Sequence, residues 1–200
     1  MLYRVQKIDV AQAGKVLASA FQDHPIWARI FEGVSHRDKR MRAHYEIAVK
    51  LGLKYGEVYA TSENLEGIIA CVPGEYADMN TWRMIRCGAT GSVLRLGLKV
   101  LKRMAPVYQP VTEWRREYKA KHKFLYLLIL GVRPELHGRS FGGKLIKAVT
   151  EISERQGLPL LVGAGSEDNV TMYEHFGFKV LKKITLGAVE LPEWEMVREP

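Results

Sequence analysis

The chain has 200 residues, is 47% hydrophobic and carries a formal charge of +8. That is ample for one domain with a sizeable core and thin for two. The longest apolar run, "FLYLLIL", falls far short of the roughly 20 residues of a membrane-spanning helix. The N-terminal "MLYRVQKIDV" lacks the apolar core and cleavage site of a signal peptide. Cys71 and Cys87 make no CxxC and have no histidine pair at ligand spacing, so no metal site is expected, and free thiols in a reducing cytoplasm are. The charge is uneven. From Asp78 to Lys123 eleven Lys or Arg stand against three Asp or Glu, and the remainder is neutral. Such a segment attracts phosphates, acidic partners or anionic lipid, or is a solvated helical face.

In chain order, "LYRVQKI" predicts a strand, and "DVAQAGKVLASAF" a helix with Val10, Ala13, Leu17 and Ala20 on one side and Asp9 as N-cap. "RDKRMRAHYEIAVKLGLKYG" predicts a second helix. "GEVYAT" and "EGIIACVPG" predict two short strands joined by a turn at "ENLEG". In "SVLRLGLKVLKRM", Leu94, Leu98 and Leu101 form an apolar stripe, which Arg95, Lys99 and Lys102 repeat one position on. That predicts an amphipathic helix packed on its own domain rather than on a membrane. "TEWRREYKAKHK" predicts a further helix capped by Thr112. "KFLYLLILGV" predicts a strand buried on both faces. "RPELHGRSFGG" then leads into a helix with Leu145, Ile146, Val149 and Ile152 inward, stopped by Gly157 and Pro159. "LPLLVGAG" predicts a buried strand, "SEDNVTMYEHFG" a short helix, and "FKVLKKITL" and "PEWEMVREP" two closing strands. Mixed order of this kind predicts a layered sheet with helices on its faces.

Three glycines, Gly138, Gly142 and Gly143, lie between a strand and a helix N-terminus. Unpaired N–H groups and the helix dipole suit such a turn to a phosphate or pyrophosphate, with Arg139 able to add a charge. A merely tight turn is the alternative. Neither GxxxxGK[ST] nor an early GxGxxG with a following acid is present, which excludes two familiar phosphate motifs.

The run His137, Gly138, Arg139, Ser140, Phe141, Gly142 resembles the Q/R-x-x-G-x-G/A acyl-CoA signature of the GNAT superfamily of N-acetyltransferases. "NVTMYEHFGFKV" resembles that family's later N…Y-E-x-x-G-F segment. "AFQDHPIWARIF" and "WEMVREP" resemble, more weakly, its puromycin N-acetyltransferase branch. His137 and Ser140 depart from the signature, and Gly163 stands where related antibiotic-type enzymes often have a glutamate near the acceptor.

The resemblance implies a mixed α/β fold, a central and mostly antiparallel twisted sheet flanked by helices. It would span residues 1–200 as one domain, with a basic helical insertion at about 78–123. It implies acetyl-CoA as co-substrate and no metal. Backbone amides of Leu130, Gly131 and Val132 would pair with the pantetheine arm and stabilise the oxyanion. His137, Gly138, Arg139, Ser140, Phe141, Gly142 and Gly143 would cradle the pyrophosphate, and Asn169 would contact the pantetheine. Tyr173 would protonate the leaving thiolate. Its bland alternative is a core aromatic, that of Asn169 a helix cap, and that of His137 a surface histidine. The base stays open among Glu57, His24, Tyr126 and a water chain.

The expected function is acetyl transfer to a primary amine of a small molecule, in the cytoplasm, without membrane or nucleic-acid partner; a homodimer is allowed. If the basic segment faces the pocket, it disfavours polycationic acceptors and favours acidic ones. The alternatives are a protein lysine or N-terminal acetyltransferase, and a non-catalytic basic module on nucleic acid.

Overall fold

The computed structural model describes residues 2–78 and 80–200. In chain order the elements are β1 (Tyr3–Arg4), α1 (Val10–Ala20), α2 (Pro25–Ile30), α3 (Arg37–Tyr55), β2 (Glu57–Ala60), β3 (Gly67–Pro73), α4 (Thr81–Arg86), α5 (Thr90–Leu96) and α6 (Leu98–Lys119). Then follow β4 (Leu125–Val132), α7 (Phe141–Gln156), β5 (Leu160–Ala164), α8 (Glu167–Glu174), β6 (Lys179–Leu186) and β7 (Leu191–Arg198). Among the described residues, seven strands form one sheet in the order β1-β2-β3-β4-β5-β7-β6. Every neighbouring pair is antiparallel except β4 and β5, which run parallel. No described helix is long and apolar enough to cross a membrane.

Alternation along the strands assigns the two faces. On one, Ile69, Leu127, Leu160, Val162 and Met196 pack against Leu145, Ile146 and Val149 of α7. On the other, Ile68 and Ala70 meet α1, α2 and α3, and Val100, Val107 and Val111 of α6 extend the same core. The amphipathic period of "KLIKAVTEI" is what gives α7 its buried stripe.

The basic stretch between β3 and β4 folds differently from its sequence pattern. Gly97, at φ +88°, ends α5 and begins α6, so spacing counted across it has no helical meaning. Arg40 donates to the Leu96 carbonyl at 2.6 Å, beside that glycine. Leu94 and Leu98 are consequently 75% and 66% exposed, and the buried apolar residues of α5 and α6 are Leu96, Val100, Val107 and Val111. The expected stripe is therefore corrected. Nor is "TEWRREYKAKHK" a separate helix: α6 runs on through Pro106 and Pro110, and Thr112 is interior, not a cap. Val107 and Val111 anchor that part of the helix in the core, which offsets the two missing backbone donors. Asp9 does not cap α1. Its Oδ2 accepts from the Gln6 N–H at 2.8 Å and from the Tyr3 hydroxyl at 2.9 Å, in the turn before the helix.

Candidate active site

The site begins with an irregularity in the sheet. Ala70 pairs with Ile129 and Cys71 with Leu127, leaving Leu128 as a bulge in β4. A bulge bends its strand, and from here β4 turns away from β5. Their parallel pairing stops at Leu127–Val162, although β4 continues to Val132 and β5 to Ala164. Among the described residues, one edge of Leu128–Val132 is thus left without a neighbouring strand, and the opening enters a cleft of about 1710 Å³. Gly131 is needed on the side facing α1. A Cβ there would stand 2.7 Å from Leu17 Cδ2 and 3.2 Å from Ala20 Cβ.

At the far end of β4 the chain makes the glycine turn. Gly138 and Ser140 have φ of +78° and +61°, the left-handed region. Ser140 is the N-cap of α7 but its side chain makes no capping bond. Among the described residues the N–H groups of Gly138, Ser140, Phe141, Gly142 and Gly143 meet no acceptor in the chain, whereas Lys144 N–H already bonds the Ser140 carbonyl. Unpaired donors at a helix N-terminus, in a nest of alternating backbone hand, form an anion cradle. The His137 ring lies back on the Val132 carbonyl at 3.1 Å, clipping the turn to the strand end.

The cleft gathers eleven of the twelve residues singled out from sequence: Leu130, Gly131, Val132, His137, Gly138, Ser140, Phe141, Gly142, Gly143, Asn169 and Tyr173. Arg139 is exposed and outside the lining. Ser166, not Asn169, caps α8, accepting from the Asn169 N–H at 3.2 Å. Tyr173 packs on Phe178 with ring centroids 5.3 Å apart, and burial raises its phenol pKa, so it stays protonated at neutral pH. It is a core aromatic and a cleft residue at once.

Of the three named base candidates, Glu57 lies away from the cleft, paired with Arg4 and the Tyr59 hydroxyl. Tyr126 lines it, but burial holds its phenol far above neutral pH. His24 Nδ1 accepts from the Ile26 N–H at 3.4 Å, which leaves the hydrogen of a neutral ring on Nε2; burial lowers its pKa. That ring lines the cleft and lies close over Gly165, where a Cβ would stand 2.8 Å from Nε2.

Sequence reading missed the carboxylate that does face the gap. Glu193 and Glu195 alternate along β7 with Trp194 and point to the face opposite Tyr173. Arg115 of α6 donates to Glu195 Oε1 from Nε at 3.0 Å and from Nη2 at 2.5 Å, and stands 3.6 Å from Glu193 Oε1. A Cβ on Gly163 would lie 2.6 Å from Glu193 Oε1, so the space over that glycine is filled by a carboxylate from the next strand. Burial pushes Glu193 up to about 7, against the pull of Arg115. The charge of the basic segment faces elsewhere. Among its eleven basic residues only Arg115 and Arg116 line the cleft, against Asp23, Asp78, Glu113 and Glu193. The expected preference for acidic acceptors loses its premise and is corrected.

No family model matches the chain. An uncharacterized N-acetyltransferase of Schizosaccharomyces pombe is 25% identical over 205 residues, covering 98% of this chain and 82% of the relative. A Corynebacterium glutamicum structure described as histone acetyltransferase HPA2 and related acetyltransferase superposes with a TM-score of 0.66 at 17% identity, over 100% of this chain and 96% of that one. In sequence over nearly its whole length, and in fold, the chain is similar to N-acetyltransferases, in agreement with the GNAT resemblance of its motifs. A second GNAT-fold structure, the polyamine N-acetyltransferase of Drosophila melanogaster that forms N-acetylagmatine, superposes with a TM-score of 0.61 at 15% identity, over 100% and 99% of the two chains. These relatives favour no single branch of the superfamily that the motifs resemble. The mostly antiparallel sheet flanked by helices is the architecture the GNAT resemblance implied.

Proposed function

We propose that this GNAT acetyltransferase moves the acetyl group of acetyl-CoA to a primary amine of a small molecule. The observation that carries the reading is the gap between β4 and β5, bounded at one end by five unpaired N–H groups of the glycine turn. The residues present fit coenzyme A. The free edge of Leu130, Gly131 and Val132 offers backbone donors and acceptors to the amides of the pantetheine arm, as an added strand would. Gly138 and Ser140–Gly143 hold the pyrophosphate by their N–H groups. His137 acts by fixing the turn, and Arg139, outside the cleft, adds long-range charge. Asn169 contacts the arm from α8. Bound there, acetyl-CoA supplies the thioester.

Tyr173 donates its phenolic proton to the departing sulfur, a role that its raised pKa supports. Free Cys71 and Cys87 support a reducing cytoplasm as the place of work. The test is calorimetric titration with acetyl-CoA, desulfo-CoA and ATP, followed by a thiol-release screen over amines. Micromolar binding of both coenzyme A compounds but not of ATP is expected. Equal binding of ATP would refute it.

A further inference from the structure

We propose that Glu193 is the base that takes a proton from the acceptor's ammonium group, and that the acceptor is a cationic amine drawn into the cleft in that form. This rests on the acetyl-transfer reading. Glu193 is only 8% exposed, yet among the described residues its carboxylate makes no hydrogen bond and it lines the cleft. Arg115 is committed to Glu195 by two hydrogen bonds and reaches Glu193 only at 3.6 Å. Glu193 therefore keeps acceptor capacity toward a ligand. Gly163, over which Oε1 sits, immediately follows the last β4–β5 pair. The carboxylate thus stands where the strands part, on the face opposite Tyr173.

The groups facing Glu193 are Arg115 and Tyr108 from α6, Tyr126 from β4, and Glu195 on its own strand. Burial keeps both tyrosines protonated, so neither competes as a base. A base active near neutral pH is what amine deprotonation calls for, and burial brings Glu193 to about 7. Four acidic residues against two basic ones line the cleft of a protein whose formal charge is +8. That local sign favours an ammonium ion over an anionic acceptor.

The ammonium loses one proton to Glu193, which later returns it to water. The neutral nitrogen forms the C–N bond and the C–S bond breaks. The nitrogen's second proton offsets the one Tyr173 gives the sulfur, so each turnover releases amide, thiol and one proton.

The experiment compares wild type with Glu193→Gln and Glu195→Gln, using agmatine and tryptamine as acceptors from pH 6 to 9.5, with coenzyme A affinity measured in parallel. The expected wild-type kcat/KM rises with pH through an apparent pKa of about 7. In Glu193→Gln that limb disappears and kcat/KM falls about 100-fold or more, with unchanged affinity for coenzyme A. In Glu195→Gln the limb moves to lower pH, because Glu195 adds to the rise at Glu193. A Glu193→Gln enzyme within about threefold of wild type, or with the limb intact, would overturn the proposal. So would a wild type that binds coenzyme A and acetylates neither amine. Failure of wild type to bind coenzyme A would instead remove the acetyl-transfer reading, and this proposal with it.

Discussion

A desolvated carboxylate held for chemistry should weaken the fold, and Glu193→Gln measures by how much. The Glu193 pKa is raised from 4.5 to about 7, mainly by burial. The folded state therefore binds more protons than the unfolded one between those values, and stability falls as pH rises through that window. At about 1.36 kcal/mol per unit, the contribution lost between pH 4.5 and 8.5 is about 3 kcal/mol. Glutamine has the same shape and does not titrate. Arg115 still keeps Glu195 as its partner in that variant. Urea unfolding of both proteins at pH 4.5 and 8.5 should then show the variant gaining about 3 kcal/mol on wild type across the interval. In melting temperature this is about 6–12 °C for a chain of this size. Parallel stability curves, with a constant offset at every pH, would show that the carboxylate is solvated and refute the reasoning.

Other perturbations test separate parts of the cleft. Ser140 sits at φ +61°, a conformation costing an L-residue about 1 kcal/mol. Ser140→Gly should raise the melting temperature by about 2–4 °C and tighten coenzyme A binding, as read by differential scanning calorimetry and isothermal titration. Gly131→Ala forces a methyl group to within 2.7 Å of Leu17. It should cost about 1–3 kcal/mol in urea unfolding and weaken coenzyme A binding through the displaced strand edge. Tyr173→Phe should lower kcat about 100-fold with the dissociation constant for coenzyme A unchanged. An equal loss in both would make Tyr173 a packing residue.

Local chemistry made the glycine-turn end of the cleft legible from sequence. A continuous apolar run, a glycine turn and an amphipathic helix lie consecutively between Leu125 and Gln156, so chain neighbours are also neighbours in space. Ser166 and Gly177 likewise bracket α8 as turn and cap chemistry predicts. The Glu193 end was not legible, because it is assembled across the sheet. β7 inserts between β5 and β6, which sets Glu193 beside Gly163, thirty positions earlier. In sequence Glu193 and Glu195 look like the solvated face of an ordinary alternating strand. They become a buried pair only because α6 lays Arg115 over them. The helical stripe failed for a local reason, the change of helical phase at Gly97. The six-residue α2 is too short for periodicity to mark it.

The proposed function requires the open edge of β4 and the glycine turn to receive coenzyme A together. Amide hydrogen exchange, read residue by residue with and without desulfo-CoA, tests it most directly. Slowed exchange at Leu128–Val132 and at Gly138, Ser140, Phe141, Gly142 and Gly143 is the predicted result. Unchanged exchange at both segments under saturating ligand, or protection confined to other elements, would contradict it.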